Sequence, residues 1–303
     1  MKTKKKLRLS DTFINSPKFV PYVFVSPFII AFLLFYLYPM ISTIIMSFQE
    51  IGFGESTYIG LENYERLLNK HYISALMTST SYTFWTILIL IPLPLVLAVL
   101  LNSKNTKFKN FFRSSLFMPA LTSVIVAGMF YRYSFGENPA ALANSFIGFF
   151  GIEPLTWLQK STPGMIALVV LCTWRWLGVN IIYFLSGLQG IPDEIYEAAD
   201  IDGANKWNKF LHITVPNLKP VIIYVLTISV FGGYKMFAES YAYWQTATPG
   251  DIGMTIVSYI YQTGFNNFDM GFASAIGITL LLIVLIINLI QLKFFGLFKK
   301  EDK

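Results

Sequence analysis

Few side chains in this sequence carry reactive chemistry, and their spacing keeps them from acting together. The histidines are His71 and His212, and the one cysteine is Cys172. A metal site or an acid–base couple needs such groups within bonding reach of one another. Three long apolar runs separate His71 from His212, so in a membrane the two fall on opposite faces. Cys172 lies inside an apolar run and reads as a small buried residue, which leaves neither a disulfide nor a zinc cluster. No Gly-Lys pair occurs, so no P-loop can cradle ATP phosphates. H-E-x-x-H, G-x-S-x-G and dinucleotide-binding patterns are missing too. The sequence therefore predicts no catalytic residue, metal or cofactor in this chain. If its work is driven by ATP, Mg-ATP is hydrolysed by another subunit.

One spacing does suggest recognition. Glu197-Ala198-Ala199 is followed after three residues by Gly203, and after nine more by Ile213, Val215 and Pro216. Pro192-Asp193 offers an N-cap, residues 194–201 favour helix, and Gly203 stands where a left-handed C-terminal residue is commonly needed. A second short helix follows, with Trp207, Phe210 and Leu211 on one face. The product is a helix–turn–helix that exposes Glu197 beside two alanines small enough to enter a partner's groove.

The surrounding elements are membrane spans. Hydrophobic residues make up 54% of the chain and charged ones 13%, against roughly 25% charged in soluble domains. A bilayer core needs about 20 apolar residues per helix. Residues 22–48, 72–101, 114–131 and 270–292 qualify with no charge, and 161–191 and 220–238 with one each, Arg175 and Lys235. That predicts six spans in one membrane domain, 1–303, with no room for a soluble enzyme domain. Residues 1–71 form the tail, first span and an outer segment, and 72–297 the core spans with the loop 192–216. The first apolar run is too long for a signal peptide, and no small-x-small site follows it. Lysine and arginine collect in the tail before residue 19, in 104–113, in 206–219 and after residue 292, whereas acids dominate the other loops. By the positive-inside rule both termini and the Glu197 loop are cytoplasmic. The net charge of +6 is thus a topology signal and not the basic face of a nucleic-acid binder.

The Glu197 spacing resembles the EAA signature of binding-protein-dependent ABC importer permeases, with Val215 where leucine is common. Gly60-Leu61-Glu62-Asn63-Tyr64 is similar to the family's outer G-L-x-N-Y segment, Phe112-Arg113 through Phe117-Met118-Pro119 to its entry to a span, and 265–275 to the stretch before the last span in carbohydrate permeases. The resemblance implies an all-α type I importer permease with a cytoplasmic coupling helix, of the maltose, glycerol-phosphate and multiple-sugar branch. It implies a bacterial cell-membrane location, a second homologous permease, two ATPase subunits and an extracytoplasmic sugar-binding protein docking on loops 60–64, 137–159 and 243–269. Glu197 would bridge to the ATPase, with Ala198, Ala199, Gly203, Ile213 and Pro216 shaping the fit. The competing class is a secondary transporter run by an ion gradient, which commonly uses an intramembrane carboxylate; none lies at a span centre here, and Glu239 comes nearest.

For the substrate path the sequence offers aromatic faces around the two intramembrane cations. Trp174, Arg175, Trp176, Asn180 and Tyr183 lie in the fourth span, and Tyr234, Lys235, Tyr241, Tyr243 and Trp244 in and after the fifth. A charge in hydrocarbon costs on the order of 2.5–3.5 kcal/mol, so Arg175 and Lys235 are expected to face a cavity or a partner. They could receive an acidic sugar; alternatively Glu239 pairs with Lys235, and Arg175 snorkels or bridges to the second permease. Pro39, Pro92 and Pro94 fall within spans and bend them without implying a mechanism.

Overall fold

A computed structural model describes residues 19–52, 56–103, 105–244 and 249–296 of the chain. Lys2, Lys4, Lys5, Lys6, Arg8, Lys18, Lys104, Lys299, Lys300 and Lys303, which carry much of the expected orientation signal, lie outside the described residues. The elements in order are α1 (Val20–Met46), the strands β1 (Gln49–Ile51) and β2 (Ser56–Tyr58), α2 (Lys70–Asn102), α3 (Lys109–Phe117), α4 (Val124–Ser134), α5 (Leu142–Gly148), α6 (Ser161–Leu188), α7 (Asp193–Ile201), α8 (Lys206–Asn217), α9 (Lys219–Tyr234), α10 (Ala238–Trp244), α11 (Ile256–Tyr261) and α12 (Met270–Phe294). The two strands pair antiparallel with Gln49 opposite Tyr58.

Among the described residues four helices, α1, α2, α6 and α12, run for 27, 33, 28 and 25 residues, long enough to cross a bilayer. The third and fifth expected spans are not single helices. Residues 109–121 and 124–134 meet at 94°, and α8 meets α9 at 68°. The third breaks because Pro119 opens a 3₁₀ turn and Thr122 and Ser123 then adopt extended ψ values of 136° and 132°. The fifth stops at Lys235 and restarts as α10 at Ala238, so α9 has only 16 residues, about 24 Å of helix.

Each bend frees backbone groups that hydrocarbon cannot solvate, and neighbouring side chains take them up. In α2, Pro94 has no N–H to offer the Leu90 carbonyl four residues back. Asn180 of α6, 4% exposed, donates to that carbonyl at 2.8 Å. The Ser26 hydroxyl likewise donates to Val23 O, which Pro27 leaves unpaired. A single π turn, Leu33–Leu37, sits directly before Tyr38 and Pro39.

Three apolar clusters hold the bundle. One joins Leu95, Leu101, Ile181, Phe184, Leu188 and Leu218 at the end that carries Glu197. A second, built on Tyr82, Leu168, Leu171, Tyr243 and Trp244, fills the middle. The third joins Leu67, Tyr72, Ile256, Phe272 and Ile276 at the opposite end. Here the two outer motifs meet. Asn63, 1% exposed, donates to Ser47 O at 3.2 Å and Gln49 O at 2.9 Å. Arg66 bonds Asn63 Oδ1 and Asp269, and lies 4.2 Å over the Phe272 ring. Asp269 in turn caps α12 by accepting from Phe272 N at 3.1 Å. No residue of α1 is buried.

The Asn180–Leu90 bond yields a double-mutant test. Asn180→Leu keeps the bulk but strands a carbonyl, at a cost of about 1–3 kcal/mol, and the purified protein should melt at a lower temperature. Adding Pro94→Ala restores an N–H to Leu90 O and should return much of the loss. Equal destabilisation in both backgrounds would show that Asn180 does not serve that carbonyl.

Candidate functional site: the Glu197 loop and the core of broken spans

The Glu197 loop is built by two short helices locked together. Asp193 opens α7 as its first residue instead of capping it; Pro192 occupies the N-cap, and Asp193 and Glu194 place carboxylates in the first turn, where the helix dipole favours them. At the other end Gly203 has φ +76°, Ala204 N donates to Ala199 O at 2.9 Å, and Gly203 N to Asp200 O at 3.1 Å. This is a Schellman cap. A Cβ on Gly203 would meet nothing within 4 Å, so the glycine is required by its backbone angle and not by packing.

α8 then starts from Asn205, whose side chain accepts from Asn208 N at 2.8 Å. Its middle is a π turn, Phe210–Thr214, which places Phe210 and Val215 against the apolar cluster and leaves Leu211 exposed. Trp207 stacks on Phe210 at 5.6 Å and is also exposed. Lys209 pairs with Asp200 at 2.6 Å, and the Tyr196 hydroxyl meets Thr214 Oγ1 at 3.0 Å, so the two helices form one rigid corner. On it Glu197 and Ala198 are exposed, Ala199 and Ile213 half-buried, and Pro216 exposed. Ile201, 88% exposed, adds an apolar contact beside the carboxylate.

The residues expected along the substrate path divide into two groups. Trp174, Trp176, Lys235 and Tyr241 are exposed and Tyr183 is half-buried, edge-on to Tyr224 at 5.2 Å. Asn180, Tyr234, Tyr243 and Trp244 are packed inside. Tyr234 bonds Thr80 at 3.0 Å, and Trp244 Nε1 donates to Leu158 O at 3.0 Å. Lys235 does not pair with Glu239; its ammonium lies 5.7 Å from the Phe231 ring centre. Glu239 pairs with Arg175 at 3.1 Å, because the break after Tyr234 turns α10 back toward α6. Both side chains are largely buried, at 11% and 16% exposure. Removing one partner of such a pair costs about 3–5 kcal/mol, since the other charge is left uncompensated.

Other features were not legible in the sequence. Asn144, 2% exposed, donates to Gly136, Asn138 and Leu155 carbonyls and accepts from Leu155 N and Trp157 Nε1, organising the 137–159 loop. Gln159 reaches Glu137 across the same loop at 2.7 Å. A cavity of about 710 Å³ opens between the first halves of α2 and α6, edged by hydroxyls of Ser74, Thr78, Ser81, Ser161 and Thr162 beside Trp85. His71 meets Asp251 at 2.7 Å at the Asn63 end, on the far side of the bundle from His212. Among the described residues no group of three His, Cys, Asp or Glu side chains could hold a metal.

Comparison with known proteins places this arrangement. The chain is 54% identical over 286 residues to the arabinooligosaccharides transport system permease protein AraP of Bacillus subtilis (strain 168), covering 94% of this chain and 91% of that one. It is 51% identical over 301 residues to AraP of Halalkalibacterium halodurans, covering 99% and 95%. In structure it matches a chain of a bacterial ABC transporter involved in the import of the acidic polysaccharide alginate, with a TM-score of 0.82 at 22% identity over 97% of this chain and 100% of the other, which shows a shared fold. Residues 90–295, which contain both broken spans and the Glu197 corner, match the binding-protein-dependent transport system inner membrane component, and the chain belongs to that family of ABC importer permeases.

Proposed function

We propose that this chain is one of two homologous permeases of a cell-membrane importer that carries neutral arabinose-containing oligosaccharides, with both termini and the Glu197 corner in the cytoplasm. The observation that carries the coupling half of this reading is the exposed Glu197 on a corner rigidified by a Schellman cap and a Lys209–Asp200 pair. A flexible loop would dissipate motion, whereas a stiff one hands it to the spans. Two ATPase subunits bind and hydrolyse Mg-ATP, and each grips one such corner. An extracytoplasmic binding protein delivers the sugar to the Asn63 end. A comparable assembly supports this, since a solved relative of the same fold is an alginate transporter in complex with a pentasaccharide-bound periplasmic protein.

The substrate half rests on relatives and on charge. The two AraP proteins are named for arabinooligosaccharides. Arg175, the cation that could have attracted a uronate, is already met by Glu239. The exposed Trp174, Trp176 and Tyr241 retain faces suited to neutral sugar rings. The same ion pair counts against an ion-driven secondary transporter, for which Glu239 would need to be free to bind the coupling ion.

Three outcomes are expected. Glu197→Lys should abolish uptake and weaken ATPase co-purification while leaving the permease inserted, as read by membrane fractionation; normal uptake would remove this corner as the coupling element. At Gly203, alanine should cost about 1–2 kcal/mol for the left-handed angle and valine more, with uptake falling in the order Gly, Ala, Val. In proteoliposomes, arabinotriose should be imported in preference to a galacturonate trimer. Preferential uptake of the acidic sugar would overturn the neutral assignment.

A further inference from the structure

Arg175 sits midway along α6 and reaches two backbone breaks at once. One guanidinium nitrogen donates to Thr122 O at 3.2 Å, at the 94° bend before α4. Another holds Glu239, in the first turn of α10 beyond the break of the fifth span. The pair differs from the Arg66–Asp269 and Lys209–Asp200 bridges, each of which has a side chain at least 45% exposed. Among the described residues, Arg175 Nε finds no hydrogen-bond partner.

The short helices on either side belong together. A Cβ on Gly128 of α4 would stand 2.5 Å from the Ala242 Cβ of α10, and Arg132 donates to Tyr243 O at 2.9 Å. With 11 and 7 residues, α4 and α10 have no continuous helix linking them to the Glu197 end. α6 does run there, ending at Leu188 just before α7. Its middle is pressed against the chain entering the bend, where a Cβ on Gly178 would fall 2.0 Å from Leu116 O.

We infer that Arg175 and Glu239 form the joint that transmits motion of the Glu197 corner, carried along α6, to the α4–α10 block at the opposite half of the bundle. The inference rests on the importer reading above. Arg175 acts here as a positioning residue, holding the block to α6 while the spans rearrange. An ion pair suits the task because in a low-dielectric interior it is strong and directional, and its loss leaves a buried charge without its counter-ion.

The test uses the whole complex, permeases, ATPase and binding protein, in proteoliposomes with arabinotriose as the probe. The wild-type complex should hydrolyse more ATP when the loaded binding protein is added; failure of that step would indict the importer reading and not the joint. Glu239→Gln and Arg175→Gln complexes should assemble and keep basal hydrolysis, while ATP consumed per sugar imported rises at least about tenfold. A purely structural defect would lower hydrolysis and uptake together and leave that ratio unchanged. The charge-swapped double variant, Arg175→Glu with Glu239→Arg, should recover part of the coupling, and this arm also serves if either single variant fails to assemble. Unchanged coupling in both single variants, or a swap no better than either, would overturn the joint.

Discussion

A backbone N–H or C=O left unpaired in hydrocarbon costs several kcal/mol, and this constraint governs the molecule. A transporter needs bends, and each bend strands peptide groups that then need another partner. Here most of the groups are taken up by side chains from other helices. Asn180 of α6 serves the kink of α2, and Arg175 of α6 serves the bend before α4. Thr255 donates to Met236 O at 2.7 Å, just past the end of α9, and Ser79 of α2 accepts from Ile256 N at 2.9 Å at the start of α11. Gln291 of α12 donates to Ile223 O and Thr227 of α9. The polar residues inside the bundle are thus mostly splices, and they tie the spans into one body.

This explains why residues that look like ligand contacts in the sequence turn inward. Asn180 is spent on a carbonyl, Trp244 on the Leu158 carbonyl, and Tyr234 on Thr80. The aromatic residues left open, Trp174, Trp176 and Tyr241, carry no charge and are flanked by a cation already neutralised. The neutral sugar proposed above would suit such a surface, because it asks for ring faces and hydroxyl-sized partners and not for a free charge.

The Glu197 corner obeys the opposite economy. It lies at one end of the bundle, where its peptide groups can meet water, so its rigidity has to come from local devices: the glycine cap, the Asn205 cap, the Lys209–Asp200 pair and the Tyr196–Thr214 contact. Its apolar residues then split. Phe210 and Val215 root it in the core, while Ile201, Trp207 and Leu211 remain exposed. Small, stiff and partly apolar, the corner fits the coupling role proposed for it.

Local rules made some of this legible from the amino-acid order alone. Apolar length marked α1, α2, α6 and α12, because crossing hydrocarbon is a requirement each segment meets by itself. The glycine at 203 announced the end of α7, since a positive φ is a property of one residue. Family spacing pointed to Glu197. The tertiary structure decided what depends on distant partners. It supplied the partners at the breaks of the third and fifth spans, where Arg175 takes up Thr122 O and Thr255 takes up Met236 O. It gave Glu239 to Arg175, 64 residues away, and not to Lys235, four residues away. It also joined Arg66, which bonds Asn63, to Asp269 at the start of the last span, 203 residues away. The i,i+4 pairing expected of an unbroken helix failed there because the helix was broken, and only the packing of three spans around one buried guanidinium says where.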